Sequence, residues 1–204
     1  MSPKAATTNT IDASHPQLRR RTLLALMAAA TTGCVPPRTV LTPVPGPVLT
    51  GSPMTVSVRT ITLPQLLQRP EIICTSDMPA VAVPAEACWA EAPDLMIGRV
   101  LTQDLIQRLP GSRVFFDPMP PFSPADVWVD LTLMRFETND TGDVLAQAQV
   151  SVVGLRYLTR TAWRTVTPAG GSTQALATAL SIALARFSDL IATLIVESWQ
   201  VQFR

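Results

Sequence analysis

Histidine and lysine are almost missing from this chain: His15 and Lys4 are the only examples, and both fall within the first 33 residues. Past that point no imidazole is present to act as a general base near neutral pH, and no Ser-His-Asp or Cys-His nucleophile can be built. The lack of lysine excludes a Schiff base and a Walker-type phosphate lysine. Metal sites lose their commonest nitrogen ligand, and the few cysteines cannot hold structural zinc by themselves. Acid–base chemistry by paired carboxylates is the route left open, through Glu86 with Glu91 or Asp126 with Asp130. Surface carboxylates are common, so neither pair marks a cleft. The expectation is a protein that is not an enzyme, with no catalytic residue, no metal ligand and no cofactor.

What is present begins with Arg19-Arg20-Arg21, followed by an apolar run from Thr22 to Ala30 and then Thr31-Thr32-Gly33-Cys34. Positive residues, a short greasy stretch and small residues in that order make a secretory signal peptide over residues 1–33. The run is too short to span a bilayer. Small residues before a cysteine have the form of a lipobox, in which the Cys34 thiol carries diacylglycerol, palmitate among its acyl chains, and becomes the first mature residue. An ordinary cleaved signal ending near a cysteine is the alternative. Arg20-Arg21-Thr22-Leu23-Leu24 loosely resembles a twin-arginine signal, so the export route stays open. Removing residues 1–33 leaves twelve cations, all arginine, against fourteen carboxylates, a net charge of −2. Such a surface offers no electrostatic footprint for nucleic acid.

Residues 34–53 carry Pro36, Pro37, Pro43, Pro45, Pro47 and Pro53. Prolines at this density exclude helix and central strand and favour polyproline II. The segment reads as a disordered tether reaching on the order of 50 Å at ~3.1 Å per residue. A single domain follows over residues 54–204. Cys74 and Cys88 are the only other thiols. In an oxidising compartment they can be bridged across a hairpin of Glu71–Cys74 and Ala80–Cys88, or sit as two small buried hydrophobes.

Alternation predicts strands over Thr55–Ile61, Arg113–Asp117, Val127–Phe136, Val144–Val153 and Tyr157–Val166. Asn139-Asp140-Thr141-Gly142-Asp143 reads as the loop of a hairpin. Leu63–Pro70 is a short turn-rich piece. Trp89-Ala90-Glu91-Ala92-Pro93 leads into a helix whose stripe is Ile97, Leu101, Leu105 and Leu109, stopped by Pro110-Gly111. Ser172 or Thr173 caps a long helix with Leu176, Leu180, Leu184, Phe187, Ile191 and Leu194 on one face. Arg186 and Asp189 at mid-span argue against its crossing a membrane. Trp199, Val201 and Phe203 alternate as an apolar tail, either a packing strand or a partner-binding segment. The fold class is α+β: an antiparallel or mixed sheet covered by two main helices, behind the tether.

The phrase Leu63-Pro64-Gln65-Leu66-Leu67-Gln68-Arg69-Pro70-Glu71-Ile72, then Cys88-Trp89-Ala90-Glu91, then a helix ending Leu105-Ile106-Gln107-Arg108-Leu109-Pro110, resembles the paraquat-inducible protein C family. The closing helix, Ala179 to Ala192, fits the same pattern. The resemblance implies a lipoprotein on the periplasmic face of the outer membrane. It implies docking on an MCE-domain protein that carries lipids between membranes, and a homo-oligomer, possibly ring-shaped. Val35 after the acylated cysteine agrees with that address, since an aspartate there favours retention in the inner membrane. It also makes Leu63, Pro64, Leu67, Arg69, Pro70, Trp89 and Glu91 candidate interface residues. Each keeps a structural alternative: the prolines fix a turn, Arg69 pairs with a carboxylate, Trp89 anchors the core and Glu91 caps a helix. The other functional readings are a periplasmic lipid-binding carrier or outer-membrane assembly factor, and a carboxylate-dependent hydrolase.

Overall fold

The computed structural model describes residues 38–68, 88–139 and 141–199. Cys34, Arg69, Pro70, Cys74, Glu86, Val201 and Phe203 lie outside them, and so does the question of a Cys74–Cys88 bridge. The described residues belong to one compact unit, Pro36–Arg204.

The sheet is mixed. β2 (Thr55–Thr62) lies between β4 (Arg113–Phe116) and β5 (Val127–Thr138), parallel to both. β5, β6 (Val144–Val153) and β7 (Tyr157–Val166) then run as an antiparallel meander, giving the order β4-β2-β5-β6-β7. Parallel strands require a crossover, and α1 (Pro93–Arg108) supplies it between β2 and β4. A separate two-residue pairing joins β1 (Arg38–Thr39) to β3 (Cys88–Trp89).

The elements form for legible reasons. Pro93 occupies the first turn of α1, where its missing N–H costs nothing. The helix ends at Leu109, and Gly111 takes the left-handed turn at φ +85° that a side chain resists. In the β5–β6 turn the Asn139 carboxamide oxygen accepts the N–H groups of Thr141 and Asp143. Ser172 caps α2 (Thr173–Trp199) by accepting the Ala175 N–H at 3.1 Å. Along β6 the inward residues Val144, Ala146, Ala148, Val150 and Val152 are fully buried beneath the helices. The alanines at the middle of that row share one core with Leu180, Leu184 and Phe187 of α2.

By length and hydropathy α2 would pass for a membrane span, yet two thirds of its apolar window is buried in the fold. Its Leu176, Leu184, Phe187, Ile191 and Leu194 belong to the core, as the stripe requires.

Two expectations need correction. Residues 38–53 are not a free tether: β1 is paired, Leu41 is 1% exposed, and the segment runs across both helices as a strap. The prolines do keep it out of helix, but the N–H groups of Leu41, Thr42, Val44 and Leu49 and the carbonyls of Thr39 and Val44 find partners on the domain. Trp199 is the last residue of α2 rather than the start of an alternating strand.

Candidate functional site

The strap organises the two features that distinguish this domain from a plain sheet with helices. At one end, Leu41 enters an apolar pocket with Leu63, Leu67, Trp89, Met96 and Leu180. β2 ends there, the 3-10 turn Gln65–Gln68 follows, and the N-terminal turns of α1 and α2 close the sides. Phe136, Glu137 and Thr138 complete the wall from β5. The free space is about 20 Å³, room for about one water. Leu67 N–H donates to the Pro64 carbonyl and the Gln68 carboxamide to the Leu63 carbonyl, both at 2.9 Å, so the turn is locked from within.

Further along, the strap is clamped by charge. Arg108, at the end of α1, is fully buried, and its guanidinium donates to four acceptors. Nε reaches Asp189 Oδ1 at 2.7 Å, Nη1 the carbonyls of Val44 (3.2 Å) and Asp104 (3.0 Å), and Nη2 the Ala185 carbonyl (3.2 Å). Asp104 is equally buried and accepts the Val44 N–H at 2.9 Å and the Ser188 hydroxyl at 3.0 Å. Both polar groups of Val44 are therefore held by α1 side chains. Thr42 N–H donates to Ser181 Oγ, Leu41 N–H to Met96 Sδ, and Leu49 N–H to the Arg108 carbonyl. Gly46 lies so close to the guanidinium that a Cβ has no space there. Burial raises the Asp104 carboxyl above its ordinary 3.8, with the charge of Asp189 adding to it. Hydrogen bonds from Val44 and Ser188 and the Arg108 charge pull the other way.

The interface candidates separate in the fold. Leu63, Leu67 and Trp89 meet in the pocket, Pro64 is half-buried beside them, and Glu91 pairs with Arg99 at the surface. Of the two carboxylate pairs, Glu86 with Glu91 lies partly outside the described residues, and Asp126 and Asp130 are each engaged by their own partner. Asp126 accepts the Thr55 N–H at 2.7 Å, and Asp130 is bound by Arg59, whose guanidinium also lies over the Phe122 and Trp128 rings. Among the described residues no group of three or more His, Cys, Asp or Glu is placed to hold a metal. The Asp104–Arg108 clamp was missed in the sequence reading. Its signal was there: 97, 101, 104, 105 and 108 share one helix face, so two charges sit on the apolar stripe.

A second surface lies on the sheet face away from the helices. β7 is an edge strand, and Tyr157 and Trp163 stand 68% and 50% exposed on it beside a row of threonines.

The family model described as "ABC-type transport auxiliary lipoprotein component" matches residues 40–192, from the strap into α2. No curated protein matches the chain. Among solved structures, the crystal structure of an uncharacterised protein is similar at a TM-score of 0.60 and 19% identity, covering 76% of this chain and 99% of that one. A Xanthomonas campestris protein assigned to DUF330 is similar at a TM-score of 0.54 and 16% identity, over 80% of this chain and 94% of that one. Both likenesses concern the fold. A PelC dodecamer from Paraburkholderia phytofirmans is more distant, at a TM-score of 0.40 and 13% identity, over 70% of this chain and 90% of that one.

Proposed function

Because this chain belongs to the ABC-type transport auxiliary lipoprotein component family, we propose that it is a non-catalytic lipoprotein subunit of an envelope lipid transporter built around an MCE-domain protein. Acylated at Cys34, it stands on the periplasmic face of the outer membrane and docks on the tunnel that the MCE protein forms. The observation that carries this reading is the match over residues 40–192, most of the folded domain, coupled to the Arg19–Cys34 leader. The rest is consistent with a scaffold. Asp126 and Asp130 are bound to structural partners, and the buried charges serve the strap. Leu63, Leu67 and Trp89 build the pocket end from beneath, with Pro64 and the Glu91–Arg99 pair at its surface. Self-assembly uses β7, whose ten-residue outer edge pairs with no other described strand and is a template for one, and whose exposed Trp163 and Tyr157 are typical interface anchors.

A lipid carrier needs space for an acyl chain, and ligand pockets occupy ~300–1,000 Å³. The enclosed apolar pocket offers about 20 Å³, and the roomier grooves of about 340 and 550 Å³ beside α2 are open to solvent rather than enclosed, which favours the subunit over the carrier. The test is affinity purification of the tagged full-length protein from crosslinked membranes, with mass spectrometry of partners and of the intact N-terminus. An acylated Cys34 with an MCE-domain protein is the expected result. Recovery without any MCE protein would refute the docking. Native mass spectrometry separates the alternatives, because the subunit gives an empty oligomer and the carrier a monomer with phospholipid.

A further inference from the structure

The strap fixes where a lipid anchor sits relative to the fold. Cys34 stands four residues before Arg38, and four residues of fully extended chain span at most ~14 Å. From Arg38 onward the backbone is held by β3, Met96, Ser181, Asp104 and Arg108. The anchor therefore leads to one defined end of the domain. Building on the reading that Cys34 is acylated, we propose that this end, formed by β1, β3 and the first turn of α1, rests on the lipid headgroups of the membrane.

The surface there suits a bilayer interface. Arg38 is exposed and presents a cation to lipid phosphates. Val40 and Leu95 are 42% and 44% exposed, and each is the chain neighbour of a residue in the Leu41–Met96 contact. They turn outward where Leu41 and Met96 turn in, and apolar side chains of this kind partition to the headgroup–acyl boundary. Glu91 is neutralised by Arg99. Asp94 lies in the first turn of α1, where the helix dipole offsets its charge.

The fold also says which end faces away. β5 finishes at the pocket with Phe136, Glu137 and Thr138, and β6 runs back from there to Val153. Ten residues of antiparallel strand cover ~34 Å, so Leu155, 53% exposed in the turn before β7, marks the membrane-distal end.

The experiment places a photo-crosslinking phenylalanine analogue at Leu95, or at Leu155, in the full-length acylated protein. Each variant is reconstituted in vesicles of phosphatidylethanolamine and phosphatidylglycerol, and lipid adducts are counted by mass spectrometry. Both positions are exposed, so the core is left alone, and Val40 is a second site at the proximal end. Adducts at Leu95 and Val40 at least tenfold above those at Leu155 are expected. Equal yields, a reversed ratio or no adducts at all would overturn the orientation. The intact mass tells that failure from failure of the premise, since an N-terminus without lipid refutes the acylation itself.

Discussion

Replacing Arg108 by methionine tests the clamp directly, because the new side chain keeps most of the volume and removes every donor. In the native fold the guanidinium is buried, bonds Asp189 at 2.7 Å, and lies 3.7 Å from Asp104 Oδ1. Taking away one member of a buried ion pair costs about 3–5 kcal/mol, because the other charge is left uncompensated. The Val44 and Ala185 carbonyls lose a donor as well. Those losses overlap with the first, so we expect a total of about 3–5 kcal/mol rather than their sum. For a domain of this size that corresponds to a fall in Tm on the order of 10 °C. Urea unfolding of the mature chain reads the free energy, and limited proteolysis between Thr42 and Pro53 reads release of the strap. The double variant is decisive. Asp104→Asn should destabilise the parent protein, since the carboxamide NH2 replaces one of the two oxygens that accept Val44 N–H and the Ser188 hydroxyl, yet stabilise the Arg108→Met background by removing the orphaned carboxylate. A loss below about 1 kcal/mol, or a double variant no better than Arg108→Met alone, would refute the clamp.

Three further outcomes follow from the same contacts. Gly46→Ala drives a Cβ into the Arg108 guanidinium and the Asp189 carboxylate; overpacking of about 1–3 kcal/mol should appear as a lower urea midpoint with faster cleavage of the strap. Asp104, raised by burial above 3.8, binds more protons folded than unfolded, so its contribution is fully present below that value and is lost as pH rises through the folded one. The stability of the parent relative to Asp104→Asn should therefore decline on going from acid toward neutral pH, and a rise would show that hydrogen bonding outweighs burial. Ser172→Ala removes the cap of α2 and should cost about 1 kcal/mol by thermal unfolding, with Ser172→Asp close to the parent.

The sheet was legible because its strands alternate cleanly and end at turn residues. β6 and β7 occupy the ranges the pattern predicts, Val144–Val153 and Tyr157–Val166, and Val127–Phe136 falls two residues short of β5. Periodicity is local, so it needs no knowledge of partners. The strap was illegible for the converse reason. Prolines state what a backbone cannot form, but its place is set by Ser181, 139 residues away, and by Asp104, 60 residues away. β1 and β3 contain two residues each, too few to carry any period. Of the interface candidates, motif order singled out Leu63, Leu67 and Trp89, which do come together. It could not tell that they meet inside a pocket, because side-chain direction there depends on how β1 and the 3-10 turn approach.

The strap changes how such a protein spans distance. A free tether over residues 34–53 would let the domain search a volume on the order of 50 Å deep. With the chain held from Arg38, that freedom shrinks to about 14 Å, and reach must come from the folded body. α2 alone, 27 residues long, measures about 40 Å. In the proposed orientation, an upright domain resting on the headgroups presents its distal end about 40 Å from them, somewhat less than the flexible estimate but in one direction. Ordering a partner against a rigid surface costs less entropy than capturing it with a mobile arm. Under the proposed acylation of Cys34, Arg108 and Asp104 matter although both are buried, since they would tie the anchor's direction to the axis of the helices. Arg108→Met in the full-length lipoprotein should therefore weaken recovery of the MCE-domain protein even at temperatures where the domain stays folded. Recovery equal to the parent's would show that docking does not depend on a fixed strap.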